Sequence, residues 1–404
     1  MFTTDVVIVG GGPAGAAIAL ALAGRGISPI ILEAHSESQM KVGECLPPTI
    51  NPLLDHLGLT ERLRRRGNLP CYGNRFVWGS NSIEERDFIF GTTGPGWRLD
   101  RAAFEDELMQ AATEAGARWH YDRRLMSCSR EKDMRFKLTV RGLKGIETYR
   151  SNFVVDATGR AARVAGSLGA RRFIYDRLVG VAATFPDVSH GTEEDSFTLV
   201  EAVSSGWWYS SRLPGGKLIA VYMTDGDLLD RAVLHSTDHW LALLKQATHT
   251  AERVRKYGSG SPSQPRILPA HTVRLTKVAG EGWLAVGDSA VAYDPLASHG
   301  IAMAMGSGFN AASNIIDYLS GHDDALRSYE GLIDRAFAQY LLMHHDAYLH
   351  ESRWSNELFW RRRHGPALMW DGFASRLGPR LDRVGTGSGS DLVSDQHATF
   401  PNDS

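Results

Sequence analysis

The stretch DVVIVGGGPAGAAIALALAGRGISPIILEA, residues 5–34, constrains the possible fold more than any other part of the chain. An apolar run at 6–9 enters a glycine cluster, an alanine-rich segment follows, and a second apolar run at 29–32 ends on Glu33. That order reads as a strand, a tight turn, a helix and a parallel strand. Gly10 permits the turn, Gly12 lets the backbone approach a pyrophosphate, and Gly15 lets the helix press against the strand. Pro13 and Ala14 open the helix, whose first N–H groups are offered to phosphates. Glu33, followed by Ala34, falls where a carboxylate can take both hydroxyls of a ribose. A lone Gly-x-Gly-x-x-Gly says little; between two strands, with the acid about twenty residues on, it predicts a dinucleotide site.

At 404 residues the chain is long enough for two or three domains around a large core. With 43% hydrophobic residues, 22% charged and a formal charge of -2, it has no positive field that would recommend a nucleic-acid partner. No basic, apolar leader precedes the first strand, so export is not expected. Apolar runs fall short of about 18 clean residues, which argues against a membrane span. Cys45, Cys71 and Cys128 are odd in number and lack metal-ligand spacing, so a reduced, cytoplasmic setting fits best.

Further along, Gly43-Glu44-Cys45-Leu46-Pro47-Pro48 leads into helices expected at 50–57 and 60–66, the second ending in Arg64-Arg65-Arg66, a basic run read as solvent-facing. Period-two alternation across 72–90 predicts two strands of a different sheet. Asp100 is placed to cap a helix over 102–115. Strands are expected near 118–121, 135–141 and 148–152, then an apolar strand from Phe153 ends on Asp156-Ala157-Thr158-Gly159-Arg160. Alternation returns over 178–221, including Trp207-Trp208-Tyr209, and 236–256 reads as helical. A late strand ends on Gly287-Asp288, and Gly300 opens a long helix of small residues. Nucleotide-binding pieces thus recur at the start, middle and late third, with sheet insertions between them.

This order of motifs resembles the FAD-dependent monooxygenases of the aromatic-hydroxylase type, over most of the first 320 residues. Gly43-Glu44 before prolines, and Asp294-Pro295-Leu296-Ala297-Ser298-His299-Gly300-Ile301, are similar to the branch holding flavin-dependent halogenases and the flavoproteins that mature tryptophylquinone cofactors. Tyr72-Gly73-Asn74 leading to Trp78-Gly79, and Arg353-Trp354 leading to Phe359-Trp360-Arg361-Arg362, resemble the cofactor-maturing members in particular. The resemblance implies an α/β fold: a Rossmann-like, glutathione-reductase-type FAD domain from 1–70, 96–177 and 266–327, interwoven with an antiparallel substrate sheet from 71–95 and 178–265. A helical C-terminal cap over 328–383 and a disordered tail over 384–404 complete the expectation.

Carried over residue by residue, the resemblance assigns FAD contacts to Gly10, Gly12, Pro13, Ala14, Gly15, Glu33, Ala34, Glu44, Arg101, Asp156, Gly159, Gly287, Asp288, Pro295, Gly300 and Ile301. Glu33 would hold the adenosine ribose, Arg101 the pyrophosphate region, and Asp288 the ribityl chain or pyrophosphate. The helix at Gly300 would aim its N–H groups at the flavin C2 carbonyl and N1, stabilising the anionic reduced ring. Only one dinucleotide fingerprint is present, so electrons come from NAD(P)H visiting directly or from a separate flavin reductase.

The implied reaction is hydroxylation of an electron-rich aromatic ring through a flavin C4a-hydroperoxide. The preferred acceptor is a peptidyl tryptophan in a partner protein; the rivals are a small-molecule aromatic hydroxylase, a flavin-dependent halogenase, and a non-catalytic FAD-binding partner protein. Halogenases of this branch use a lysine some thirty residues beyond the Gly-Glu motif, and here none occurs between Lys41 and Lys132. Trp208, Tyr209 and His299 are the catalytic candidates, with His299 handling protons, and Asn74 (with Arg75), Trp78 and Trp207 are expected to line the acceptor pocket. Exposed Trp354 and Trp360 are expected to help dock a protein substrate. No metal site is expected, because His344-His345 on a helix do not share a face.

Overall fold

The first strand, Phe2–Val9, sits in the middle of an eight-stranded sheet. Ile30–Leu32 runs parallel on one side of it and Gly145–Asp156 parallel on the other. Its inner half, Val6 to Val9, is fully enclosed, as the apolar run requires of a strand covered on both faces. The helix Pro13–Ala23 returns over the sheet and packs along the late helix Gly300–Leu319. This computed structural model describes residues 1–36, 43–88, 91–186 and 196–365. Ile89, Phe90, Lys41, Trp370, the end of the expected cap and the 384–404 tail lie outside the described residues.

Small residues decide that helix pair. A side-chain carbon on Gly308 would lie 2.4 Å from the Ala14 carbonyl oxygen, and one on Gly287 would lie 2.8 Å from the Ala14 methyl. The two helices therefore approach almost backbone to backbone, and their N-termini open on the same side.

A second, seven-stranded sheet is built mainly from Leu178–Pro186, Phe197–Val203, Gly206–Leu213 and Lys217–Asp225, extended on one edge by Gly73–Val77 and Glu84–Asp87. Its two faces bury different cores. One face carries Trp208, Tyr222, Ala220 and Val181 against Trp240 and Val254 of the helices Thr237–Leu244 and Thr248–Tyr257. The opposite face carries Trp207, Val221, Met223 and Val200 against Trp78, Tyr348 and Trp360.

Three local expectations change. The strands expected at 148–152 and from 153 form one element, Gly145–Asp156, long enough to pair Phe136–Gly142 with its outer half and Phe2–Val9 along its length. The helix expected over 236–256 breaks at Ala247, because the Glu201 carboxylate accepts from the His249 and Thr250 N–H groups (3.1 and 2.7 Å) and caps a fresh helix from a distant strand. In the basic run, Arg66 pairs with the buried Glu107 of the helix Arg101–Glu114 instead of facing only solvent.

The C-terminal part runs as Ala325–His350 and Leu358–His364. Trp360 is fully buried and donates its indole N–H to the Val203 carbonyl at 2.9 Å, so it belongs to the core and is not a free docking side chain. Arg362 and Arg363 each donate to the buried Asp225, at 2.7 and 2.8 Å. Among the described residues no helix is long and apolar enough to cross a membrane.

Candidate functional site

The cavity of 740 Å³ between the two sheets is where the glycine motif, the Gly43-Glu44 loop, Asp288 and the late helix converge. That volume is ample for a large ligand. Gly10, Gly12, Pro13, Ala14, Glu33 and Ala34 line one end, with Arg101, Gly159, Arg160 and Asp288 beside them. Glu44, Tyr209, Trp207, Met223 and Leu268 line the other, together with Pro295, Gly300 and Ile301.

The three motif glycines have separable physical reasons. Gly10 has φ +106°, and a side-chain carbon there would sit 2.2 Å from the Ala157 carbonyl oxygen. Gly15 would bring a side chain 2.0 Å from the Gly10 carbonyl oxygen, so it serves packing and does not line the cavity. Gly12 meets no atom within 4 Å: nothing in the protein requires it to be glycine, yet a side chain there would project into the cavity. The helix it precedes has proline in its first turn and no side-chain cap, which leaves its first N–H groups for an anion. The late helix is likewise uncapped at His299.

Charged groups sit around this frame with identifiable partners. Glu33 accepts from the Gly11 N–H at 2.7 Å and the His35 N–H at 3.1 Å, which fixes its carboxylate at the end of the second strand. Arg101 donates to the Gly43 carbonyl at 2.9 Å and pairs with Glu105 at 2.7 Å, tying the Gly43-Glu44 loop to the head of its own helix. Asp288 lies 3.6 Å from the Arg160 guanidinium. Its carboxyl is 40% exposed, but to the cavity, and loss of bulk water there raises its pKa despite the nearby Arg160 and Arg101 charges.

Behind the apolar end stands a buried polar chain. Trp207 donates its indole N–H to the Tyr348 hydroxyl at 3.0 Å, and Tyr348 donates to Asp294 at 2.8 Å. Asp294 also accepts from His344 Nε2 at 3.0 Å and the Leu296 N–H at 2.8 Å, holding the turn Pro295–Ala297 that leads into the late helix. Burial works to raise the Asp294 pKa, but the hydrogen bond and charge of His344, the Leu296 N–H and Arg363 outweigh it and hold the carboxyl below its ordinary value. His344 is thus spent on a carboxylate, and among the described residues no group of three or more metal-ligating side chains forms.

Several expected site residues stand elsewhere. Trp208 points to the other face of its strand, into the core around Trp240, because neighbours on a strand face opposite sides. Trp78 is core, donating to the Ala347 carbonyl at 2.8 Å and packing on Trp207 and Trp360. Asn74 is on the strand Gly73–Val77, second from the edge of its sheet and outside the cavity lining, and Arg75 pairs with Glu85 at 2.8 Å over the Phe197 ring. Asp156 is fully buried and caps its own loop, accepting from the Thr158 and Ala165 N–H groups at 3.0 and 2.8 Å. Gly287 sits between the two helices, and His299 turns its exposed ring toward the Ala297 carbonyl. The cavity residues not singled out beforehand include Arg160, Arg163, Tyr293 and Met223. Arg160 was visible as the residue after Asp156-Ala157-Thr158-Gly159; Met223 becomes legible only through its pairing with Trp207 across the sheet.

The chain belongs to the FAD binding domain family, whose pattern matches residues 3–343. It is an FAD-dependent oxidoreductase of the aromatic-hydroxylase and flavin-dependent-halogenase group, with the mixed α/β fold expected of it. Among its relatives, LodB of Marinomonas mediterranea, an FAD-dependent oxidoreductase by name, is 29% identical over 90% of this chain and 98% of its own. A flavin-dependent halogenase of Armillaria mellea is 22% identical over 84% of this chain and 73% of its own. Among solved structures, the myxobacterial chondrochloren halogenase CndH superposes with a TM-score of 0.82 at 22% identity, covering 95% of this chain and 90% of its own. The peptidyl tryptophan dihydroxylase QhpG superposes with a TM-score of 0.74 at 22% identity, covering 91% and 80%.

Proposed function

We propose that the chain is a monooxygenase that uses FAD to hydroxylate an electron-rich aromatic ring held at the Trp207 and Tyr209 end of the cavity. The observation that carries this reading is one cavity joining two chemically different ends. One end presents uncapped helix N–H groups, a glycine with open space in front of it and a fixed carboxylate; the other presents aromatic and apolar walls. The first suits the pyrophosphate and ribose of FAD, so we assign Gly12, Ala14 and Glu33 to them, Arg101 and Asp288 to the middle of the cofactor, and Gly300 and Ile301 to its ring. Bound FAD, once reduced by a nicotinamide or by a flavin reductase, supplies the two electrons that activate dioxygen. The protein's own residues fix the cofactor, place positive helix ends toward developing negative charge, and keep water from the apolar end.

For the acceptor, a tryptophan side chain of a partner polypeptide is our first choice, supported by the dihydroxylase neighbour and by the sequence echoes at 72–79 and 353–362. Halogenation is the second reading, and the names of the relatives favour it: several are halogenases, among them a pyrrole-carbonyl brominase and a tryptophan 2-halogenase. Against it stands the cavity wall, where the described lining holds arginines and no lysine. The test is mass spectrometry of tryptophan, a tryptophan-containing peptide and a pyrrole after incubation with enzyme, reduced FAD, oxygen and bromide. Gain of one or two oxygen atoms supports hydroxylation, and a bromine isotope pattern replaces it with halogenation. Reoxidation with every acceptor unmodified removes both.

A further inference from the structure

Among the described residues, Glu44 is the cavity-lining carboxyl that has a buried oxygen without a hydrogen bond. The side chain is 4% exposed, and its Oε1 has no hydrogen-bond partner among the described residues. An unpaired carboxyl oxygen out of water is costly, and native proteins keep such groups where a ligand completes them. Position indicates which ligand. The resemblance counts Glu44 among the FAD contacts, but it lines the cavity with Tyr209, Trp207 and Val200 and its charge bears on Tyr209, at the end assigned above to the acceptor.

The groups around it act on its charge. The backbone N–H groups of Glu44 and Gly43 and the Arg101 and Arg98 guanidiniums favour its ionised form against the burial that raises its pKa. Tyr209 feels its charge and makes no hydrogen bond to it among the described residues. A carboxylate only accepts, and the torsion that swings its two oxygens is soft, so either can turn toward a donor in the cavity.

We propose that Glu44 accepts a hydrogen bond from a ring N–H of the aromatic acceptor, so that the site selects indole- and pyrrole-type rings over rings without that proton. The proposal rests on the reading of the cavity as an aromatic-acceptor site, and it holds for oxygen or halogen transfer alike. An N–H bound to a carboxylate feeds electron density into its ring, which strengthens attack on either electrophile. A ring lacking the N–H leaves the buried carboxylate unpaired, and sites of that kind discriminate strongly.

The test uses FAD-loaded protein, with binding of indole and 1-methylindole followed by the perturbation of the flavin absorption spectrum. The wild type should bind indole roughly tenfold or more tightly than 1-methylindole. That ratio should grow as pH rises and Glu44 ionises, vanish in Glu44→Leu, and persist in part in Glu44→Gln, whose amide oxygen still accepts. Affinity for FAD, measured without acceptor, should match across the three proteins. Equal binding of the two indoles by the wild type, or binding of neither, overturns the proposal without any variant. A fall in FAD affinity in Glu44→Leu with the indole ratio intact also overturns it, because the flavin's own ring N–H is then the partner. These outcomes leave the functional reading standing if acceptors are still modified; a chain that takes up no FAD fails that reading instead.

Discussion

Trp207 and Trp208 are neighbours in the chain, both almost fully buried, and they do different things. Trp207 edges the cavity, held by Tyr348 and through it by Asp294; Trp208 lies on the far side of the strand, edge-on to Trp240 at 5.2 Å. One residue of register separates a site from a core. Composition and burial do not distinguish the two indoles; only the partner strand does, through the pairing of Trp207 with Met223 and of Trp208 with Tyr222.

That contrast can be broken or sharpened by substitution. Trp208→Ala should cost about 3–5 kcal/mol of stability, read by denaturant unfolding, while FAD affinity of the folded fraction stays unchanged. A small loss would mean that the far face is not the core described. Gly12→Val should do the reverse: its side chain enters open space, so the apoprotein should melt as the wild type does, while FAD affinity falls by about a hundredfold, ~2.7 kcal/mol.

Asp294→Asn touches the chain behind Trp207 and should cost about 2 kcal/mol near neutral pH, the range for hydrogen bonds to a charged group. The folded Asp294 pKa lies below its unfolded value, so its contribution is present above about pH 4 and is lost as pH falls through the folded value. Stability curves of wild type and variant should therefore converge in acid; a constant gap would contradict the assignment. Trp207→Phe keeps an aromatic ring, though a smaller one, and removes the donor to Tyr348, so it should weaken acceptor binding by about 1 kcal/mol and leave FAD binding alone. Smallest of all is His299→Gln: with its ring exposed and outside the cavity lining, turnover and its pH profile should not move.

The cofactor end was legible in the sequence because its parts are local. Gly10, Gly12, Gly15 and Glu33 sit within one strand, turn, helix and strand, and their spacing alone sets the geometry. The acceptor end was not, because it is made by register between distant strands. Alternation identified 178–221 as sheet but left open which of Trp207 and Trp208 faces inward, since both faces of that sheet are covered and both are apolar. Asp156 misled for a related reason. Its motif marks the loop that lines the cavity, and Thr158, Gly159 and Arg160 are there, but the carboxylate itself turns back to cap that loop. Glu201 and Trp360 show the same limit: a helix capped from a strand 48 residues earlier, and an indole bonded to a carbonyl 157 residues away, leave no local trace.

The central claim is that the glycine turn and the late helix seat one FAD in the cavity they share. It is tested most directly by titrating purified apoprotein with FAD and following flavin fluorescence, for the wild type and Gly12→Val. Saturable uptake of one FAD per chain by the wild type, lost in a variant that melts at the same temperature, is the predicted result. A wild type that stays colourless, or a variant that binds FAD as tightly, would contradict it.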